Sequence, residues 1–219
     1  MSRTDLLKKI ASEIKLDYHR RPLCVAVDGV DASGKTVFAD ELAAVLRAEF
    51  GFELIRASID GFHNPKAIRF AQGQDSPVGY YQDTFNLEAL IYNLLEPLKP
   101  GGSLKVRKEI FDLRLDAPID SPCEKVSPDS ILVLDGIFLH RPELKAYWDY
   151  SIFLHVPFDT ILDRAALRDG YLFGTVEQIR SRYNQKYIPA QLKYLTEVFS
   201  TDLATVNIDN SNFENPFVV

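Results

Sequence analysis

Residues 29–36 read Gly29-Val30-Asp31-Ala32-Ser33-Gly34-Lys35-Thr36. This is the spacing G-x-x-x-x-G-K-[ST], in which backbone N–H groups cradle phosphates, a lysine reaches the outer phosphates and a hydroxyl ligates Mg²⁺. At average glycine usage such a string arises by accident in roughly one chain of this length in a hundred. A flexible Gly/Ser turn is the alternative. The chemistry further requires a strand before the loop and a helix after it, so that phosphates meet the positive end of the helix dipole.

Other residues fall where such a loop could use them. Asp135 closes the apolar run 131–134, where a carboxylate would stand beside a metal's water shell, and it pairs with Thr36 as the candidate metal residues. A strand simply meeting an Asp-Gly turn would look the same. Asp60 ends a second strand candidate, and ligands of open α/β sheets bind outside the carboxyl ends of the strands. There it could accept a proton from an attacking hydroxyl, or merely cap a turn. His63 follows at a distance that would let it line the same pocket, although a solvated loop histidine would have the same sequence. Tyr80 and Tyr81, with Phe62, Phe70 and Phe85, crowd the stretch proposed to hold substrate, where aromatic faces could stack on a base or sugar or pack onto their own domain. From Arg164 to Lys193 six Lys/Arg stand against Asp169 and Glu177. Arg164 and Arg168, one helical turn apart before Asp169-Gly170, would suit a hinged lid closing over transferring phosphates. A solvated helix face would have the same composition.

The elements that must position these residues are visible in the apolar periodicity. Thr4 can cap a helix whose residues Leu6, Leu7, Ile10 and Ile14 share one face and which ends near Arg20. Residues 23–27 are almost continuously apolar, as in a strand buried on both faces, and 35–50 follow with helical spacing up to Gly51. A strand at 52–59 leads into a polar, Gly/Pro-punctuated loop over 61–83. Asn86 caps a helix that stops at 97–102, and 103–126 reads as a hairpin or excursion. A short helix around 142–148 separates strands at 131–134 and 152–156. Helices at 160–168 and 176–199, the second interrupted near Pro189, and a strand at 205–208 complete the chain. Strands alternating with helices, with no repeat or linker, indicate one three-layer α/β domain over 1–219 with a mainly parallel sheet.

Composition excludes several classes. The chain has 219 residues, 46% hydrophobic and 26% charged, with 11 glycines and 12 prolines, which is globular rather than disordered or fibrous. A net charge of −6 argues against a general grip on nucleic acid or anionic membrane. No apolar run approaches a transmembrane span, and no export signal is apparent. Cys24 and Cys123 are too few for a disulfide scaffold, so a reducing cytoplasm is expected.

With these pieces in place, the chain resembles the uridine kinase-like branch of the P-loop kinases, which includes phosphoribulokinase and bacterial pantothenate kinase. The similarity rests on Gly29 to Thr36, on Asp60-Gly61-Phe62-His63, on Leu134-Asp135-Gly136-Ile137-Phe138, on Asp163-Arg164 through Arg168-Asp169, and on Arg182-Tyr183 through Pro189. The resemblance implies a P-loop NTPase fold with a five-stranded parallel core, a hairpin at 103–126 that contacts substrate, and a lid over about 164–189. It implies ATP as phosphoryl donor, held with Mg²⁺ by Lys35 and Thr36, Asp60 as base and Arg164 and Arg168 in the lid. The partner is then a small-molecule alcohol, a nucleoside such as uridine being the first expectation. A sugar, a pantothenate-like alcohol, a phosphosugar and a regulatory ATPase are the alternatives. The chain departs from that pattern where uridine kinases carry Phe-Asp-His-Pro with an Asp for the ribose. It has Gly79-Tyr80-Tyr81-Gln82 there, and Asp135-Gly136 in place of Glu-Gly.

Overall fold

In the computed structural model, residues 2–18, 21–168, 170, 174–198 and 204–219 are described. The expected helix ends near Arg20 and Phe199, and Asp169 at the proposed hinge, lie outside them.

Apolar runs flanked by turns make the strands. β1 (Leu23–Gly29), β2 (Glu53–Ser58), β7 (Ser130–Gly136), β8 (Tyr150–His155) and β9 (Val206–Asp209) form one sheet. They are joined at one edge by the short β10 (Phe217–Val218), in the order β10-β9-β8-β1-β7-β2. The five core strands are parallel, and β10 pairs antiparallel to β9. The mainly parallel sheet expected from the alternating pattern is therefore present, with the tail adding a sixth, marginal strand. Side chains alternate across it. Val25, Val27, Val133 and Ile152 face α1 (Arg3–Asp17) and α2 (Lys35–Phe50), while Cys24, Ala26, Leu132 and Phe153 face the opposite helical layer. Both faces are covered, which is why β1 and β7 are apolar almost throughout.

The helix starts follow side-chain chemistry. Ser2, rather than Thr4, caps α1, because the Ser2 hydroxyl accepts from the Asp5 amide while the Asp5 carboxylate reaches back to the Ser2 backbone. Asn86 caps α5 (Leu87–Leu90), accepting from the Ala89 amide at 2.9 Å, and that helix continues through a π turn (Ile91–Leu95) and a 3₁₀ turn (Glu96–Leu98). The stretch 61–83, expected as a loop, is mostly ordered into a 3₁₀ turn (Ile59–Phe62), α3 (Lys66–Arg69) and α4 (Pro77–Asp83). Ser76 and Pro77 supply the cap and the preset first position of α4. Residues 103–126 form two nested antiparallel ladders, β3 (Lys105–Val106) with β6 (Glu124–Lys125) and β4 (Phe111–Asp112) with β5 (Ala117–Pro118). Between Pro142 and Trp148 only a 3₁₀ turn (Lys145–Tyr147) forms.

α6 (Phe158–Arg168) follows β8. α7 (Val176–Arg182) then runs through a π turn (Tyr183–Tyr187) into α8 (Ile188–Val198) without a break. The interruption expected near Pro189 takes the form of this π turn rather than a break in the helix. Pro189 has no N–H to donate and its ring would strike the carbonyl four residues back, and a widened turn in which the Ile188 amide bonds the Tyr183 carbonyl accommodates it. Among the described residues no helix is long and apolar enough to cross a membrane.

Candidate active site

The order of the sheet puts the chemistry at one edge. β7 lies between β1 and β2, in register so that Asp135 stands beside Val27 on one side and Ser58 on the other. The loop after β1, Asp135 at the end of β7 and Asp60 just after β2 therefore meet outside the same carboxyl ends.

A cleft of about 610 Å³ opens there, lined by Asp31, Lys35, Thr36, Asp60, Asp135 and Arg168 among others. Two glycines shape its phosphate-binding loop. A Cβ on Gly29 would lie 2.7 Å from Ser33 Oγ and 2.9 Å from the Leu154 carbonyl; Gly34 takes the left-handed conformation (φ 87°) that starts α2. The first amides of α2 have no intrahelical acceptor, so they are available to phosphate oxygens. The Ser33 hydroxyl is buried with no hydrogen-bond partner among the described residues. Lys35 Nζ meanwhile donates to the Val30 carbonyl at 3.1 Å, a contact that phosphate oxygens can replace.

Thr36 Oγ1 donates to Asp135 Oδ2 at 2.6 Å, and Arg56 Nη2 lies 2.7 Å from the other oxygen of this buried carboxylate. A hydroxyl and a carboxylate are hard oxygen donors of the kind Mg²⁺ accepts alongside water and phosphate. Among the described residues no group of three or more His, Cys, Asp or Glu could hold a metal alone. These residues thus fit a cation that arrives with its nucleotide.

Asp60 stands exposed in the 3₁₀ turn after β2, and its amide donates to Ser58 Oγ at 3.3 Å. Beneath it, His63 Nδ1 donates to the Asp60 carbonyl at 2.7 Å, which leaves Nε2 as an acceptor. Burial and nearby Arg69 hold the His63 pKa below its ordinary value, against the opposite pull of Asp60. Asp31 is tied to both α4 and α8, accepting from the Tyr80 hydroxyl at 2.9 Å and from Gln191 Nε2 of α8. Burial pushes the Asp31 carboxyl upward in spite of Lys35, Tyr80 and Arg168.

Not every expected residue reaches the cleft. Arg168 does, donating to the Tyr183 hydroxyl at 3.2 Å, but Arg164 is spent elsewhere. Its guanidinium donates to the Asn210 and Ser211 carbonyls at 2.8 and 2.9 Å, fastening the segment after β9 to the phosphate-binding loop. One turn of α6 displaces it about 6 Å from Arg168, and those carbonyls are nearer than the cleft. Tyr80 lines the cleft, whereas Tyr81 is core, packed edge-on against Phe138 with centroids 5.0 Å apart and covered by the Arg141 guanidinium. Neighbouring residues of a helix point about 100° apart, so only one of the two can face the opening. Phe70 and Phe85 also line it, while Phe62 is core.

Sequence reasoning gave no site role to Asp28, Lys66, Arg69, Tyr183 and Tyr187, although Tyr183 and Tyr187 lie in a segment that carries the resemblance. Asp28, buried at the end of β1, accepts from the Leu139 amide at 3.1 Å and lies 2.7 Å from His140 Nδ1, which anchors the turn after Asp135. A charged residue inside an apolar strand was the available signal. The other four come from segments whose helical faces were not visible while 61–83 read as loop and Pro189 as a break.

The family model of the phosphoribulokinase/uridine kinase family matches residues 24–212. The chain belongs to that family. It is 22% identical over 183 residues to uridine kinase of Salmonella typhimurium, covering 82% of this chain and 84% of that one. Its fold is that of a "possible uridine kinase" from Bacillus stearothermophilus, with a TM-score of 0.73 at 23% identity, covering 94% and 96% of the two chains. A D-glycerate 3-kinase from Cryptococcus neoformans shares the fold at a TM-score of 0.57 and 15% identity, over 84% and 87%. The small-molecule kinase class rests on the family; the acceptor does not follow from relatives this distant.

Proposed function

We propose that the chain transfers a phosphoryl group from ATP to a hydroxyl of a small acceptor. The observation that carries this reading is one cleft that holds Lys35, Thr36 and Asp135 together with a second carboxylate, Asp60.

Thr36 and Asp135 would hold Mg²⁺, which when bound with the nucleotide neutralises phosphate charge. The amides opening α2 and the Lys35 ammonium bind the phosphate oxygens, and Arg168 adds positive charge where it develops in the transition state. Asp60 orients the acceptor hydroxyl and takes its proton as the new O–P bond forms and the bond to ADP breaks. Tyr80 links the acceptor side to the phosphate-binding loop through Asp31.

A nucleotide-binding regulator would need neither Asp60 in the cleft nor an acceptor-side wall. The test is ADP release from Mg²⁺ and ATP against uridine, cytidine, sugars, pantothenate, glycerate and phosphosugars. An acceptor-dependent rate is expected, lowered about 10²-fold or more in Asp60→Asn while nucleotide binding persists. A slow rate indifferent to every acceptor, or an Asp60→Asn variant as fast as wild type, would sink the kinase reading or the base assignment respectively.

A further inference from the structure

The side of the cleft around Asp60 carries more positive charge than a neutral alcohol needs. Lys186, in the π turn, is only 5% exposed, yet no carboxylate among the described residues lies within ion-pair distance of its ammonium. That ammonium donates to the Gln74 carbonyl and sits among three aromatic rings, 5.1 Å from the centroid of Phe70, 5.6 Å from Tyr80 and 5.5 Å from Tyr187. Arg69 lies over the same Phe70 ring at 5.1 Å and keeps one carboxylate, Asp116, at 3.0 Å. Lys66, one turn earlier in α3 and on the same face, is exposed, and its ammonium makes no hydrogen bond or ion pair among the described residues. All three side chains line the cleft, as does Arg182, which lies 3.9 Å from the exposed Asp75.

A buried cation is strongly disfavoured by its lost hydration unless an anion or many dipoles replace the water. Aromatic faces and one carbonyl offset part of that cost. Burial and the neighbouring Arg182 and Arg69 press the Lys186 pKa down, against the weaker pull of Asp75, so the charge is poorly matched by this chain alone. Arg69 is near enough to act on His63, which is bonded to the Asp60 backbone, and this places the cationic group on the side of Asp60 and apart from Lys35. Resting on the kinase reading above, we propose that the acceptor is an alcohol that also carries an anionic group, a carboxylate or a phosphate, and that Lys186, Arg69 and Lys66 bind that group while Asp60 meets the hydroxyl.

Matched pairs test this. Glycerol against glycerate probes a carboxylate and ribose against ribose 5-phosphate a phosphate, with uridine as the neutral nucleoside. Binding is measured by calorimetry on enzyme saturated with a non-hydrolysable ATP analogue, and turnover by ADP release. The anionic member of at least one pair is expected to bind at least tenfold more tightly than its neutral partner. Lys186→Gln is expected to remove that advantage without changing affinity for the ATP analogue, and the exposed, freely substitutable Lys66→Gln to reduce it about threefold. Neutral members that bind as well as anionic ones, no difference within any pair, or a preference untouched in both variants would overturn the anion site. A preference in binding with no ADP release from any compound would leave the anion site standing and overturn the kinase reading instead.

Discussion

At the scale of single residues, the side chains that were easiest to read are those whose chemistry requires them to be adjacent in the chain. The eight residues from Gly29 to Thr36 are such a set, because one loop must wrap one phosphate chain. Partners drawn from different elements, such as Thr36 of α2 with Asp135 of β7, depend on register and on which face a residue takes. Periodicity placed these elements, so that pair was anticipated; it could not choose between Tyr80 and Tyr81, or between Arg164 and Arg168, once the local helix phase was unknown. His63 yields a test that belongs to one residue. Its folded pKa is lowered, so as pH falls below about 6.5 the unfolded chain takes up a proton that the folded chain refuses. Stability should then decline with acidification across that window and recover as pH rises through it, by at most about 1.4 kcal/mol per pH unit. Asp31, raised, acts in the opposite sense above its ordinary range. Denaturant titrations of wild type and His63→Asn between pH 4.5 and 7.5 isolate the effect, since the difference between the two curves contains His63 alone; parallel curves would show that its burial does not govern its charge.

At the scale of elements, the sequence was misleading where two signals compete. Residues 61–83 are rich in turn formers, yet Ser76-Pro77 starts a helix and Lys66 to Arg69 complete a turn that packs beside it. Pro189 carries the composition of a helix end, and a π turn absorbs it instead, turning Tyr183, Lys186 and Tyr187 toward the cleft. Propensity is a weak prior, and packing against the sheet outweighed it at both places. The joint between β1 and α2 is different, because its geometry leaves little choice of residue. Gly34 is left-handed, and a Cβ there would approach Asn210 Nδ2 to 3.0 Å, the same side chain that donates to the Ser33 carbonyl. Gly34→Ala should therefore cost about 1–2 kcal/mol of backbone strain and displace the amides that open α2, weakening ATP-analogue binding more than tenfold while the sheet persists. Calorimetric titration together with far-UV circular dichroism checks both parts, and an alanine variant that binds the nucleotide normally would mean the loop tolerates a right-handed start.

At the scale of the whole molecule, the sheet links stability to the ligand. β1 is the central strand, it carries the phosphate-binding loop at its end, and it contains Cys24, 5% exposed with its thiol pushed up by burial to about 12. Cys123 lies exposed on the excursion far along the chain. A thiol reagent needs an accessible thiolate, so Cys123 should react at once and Cys24 only when the sheet opens. Opening β1 dismantles the loop that binds phosphates, so a nucleotide that binds only the closed form lowers the open population by the factor 1 + [L]/Kd, about 100-fold at a hundred times Kd. The labelling rate of Cys24, followed by mass spectrometry in a Cys123→Ser background, should fall by that factor with saturating Mg²⁺ and ATP analogue, and should rise when Leu132, its register partner in the same core, is truncated. An unchanged rate under saturating nucleotide would place the Cys24 opening outside the unit that holds the phosphate-binding loop. It would separate the sheet into two cooperative parts along β1, although β1 makes its ladders with β7 and β8 on either side.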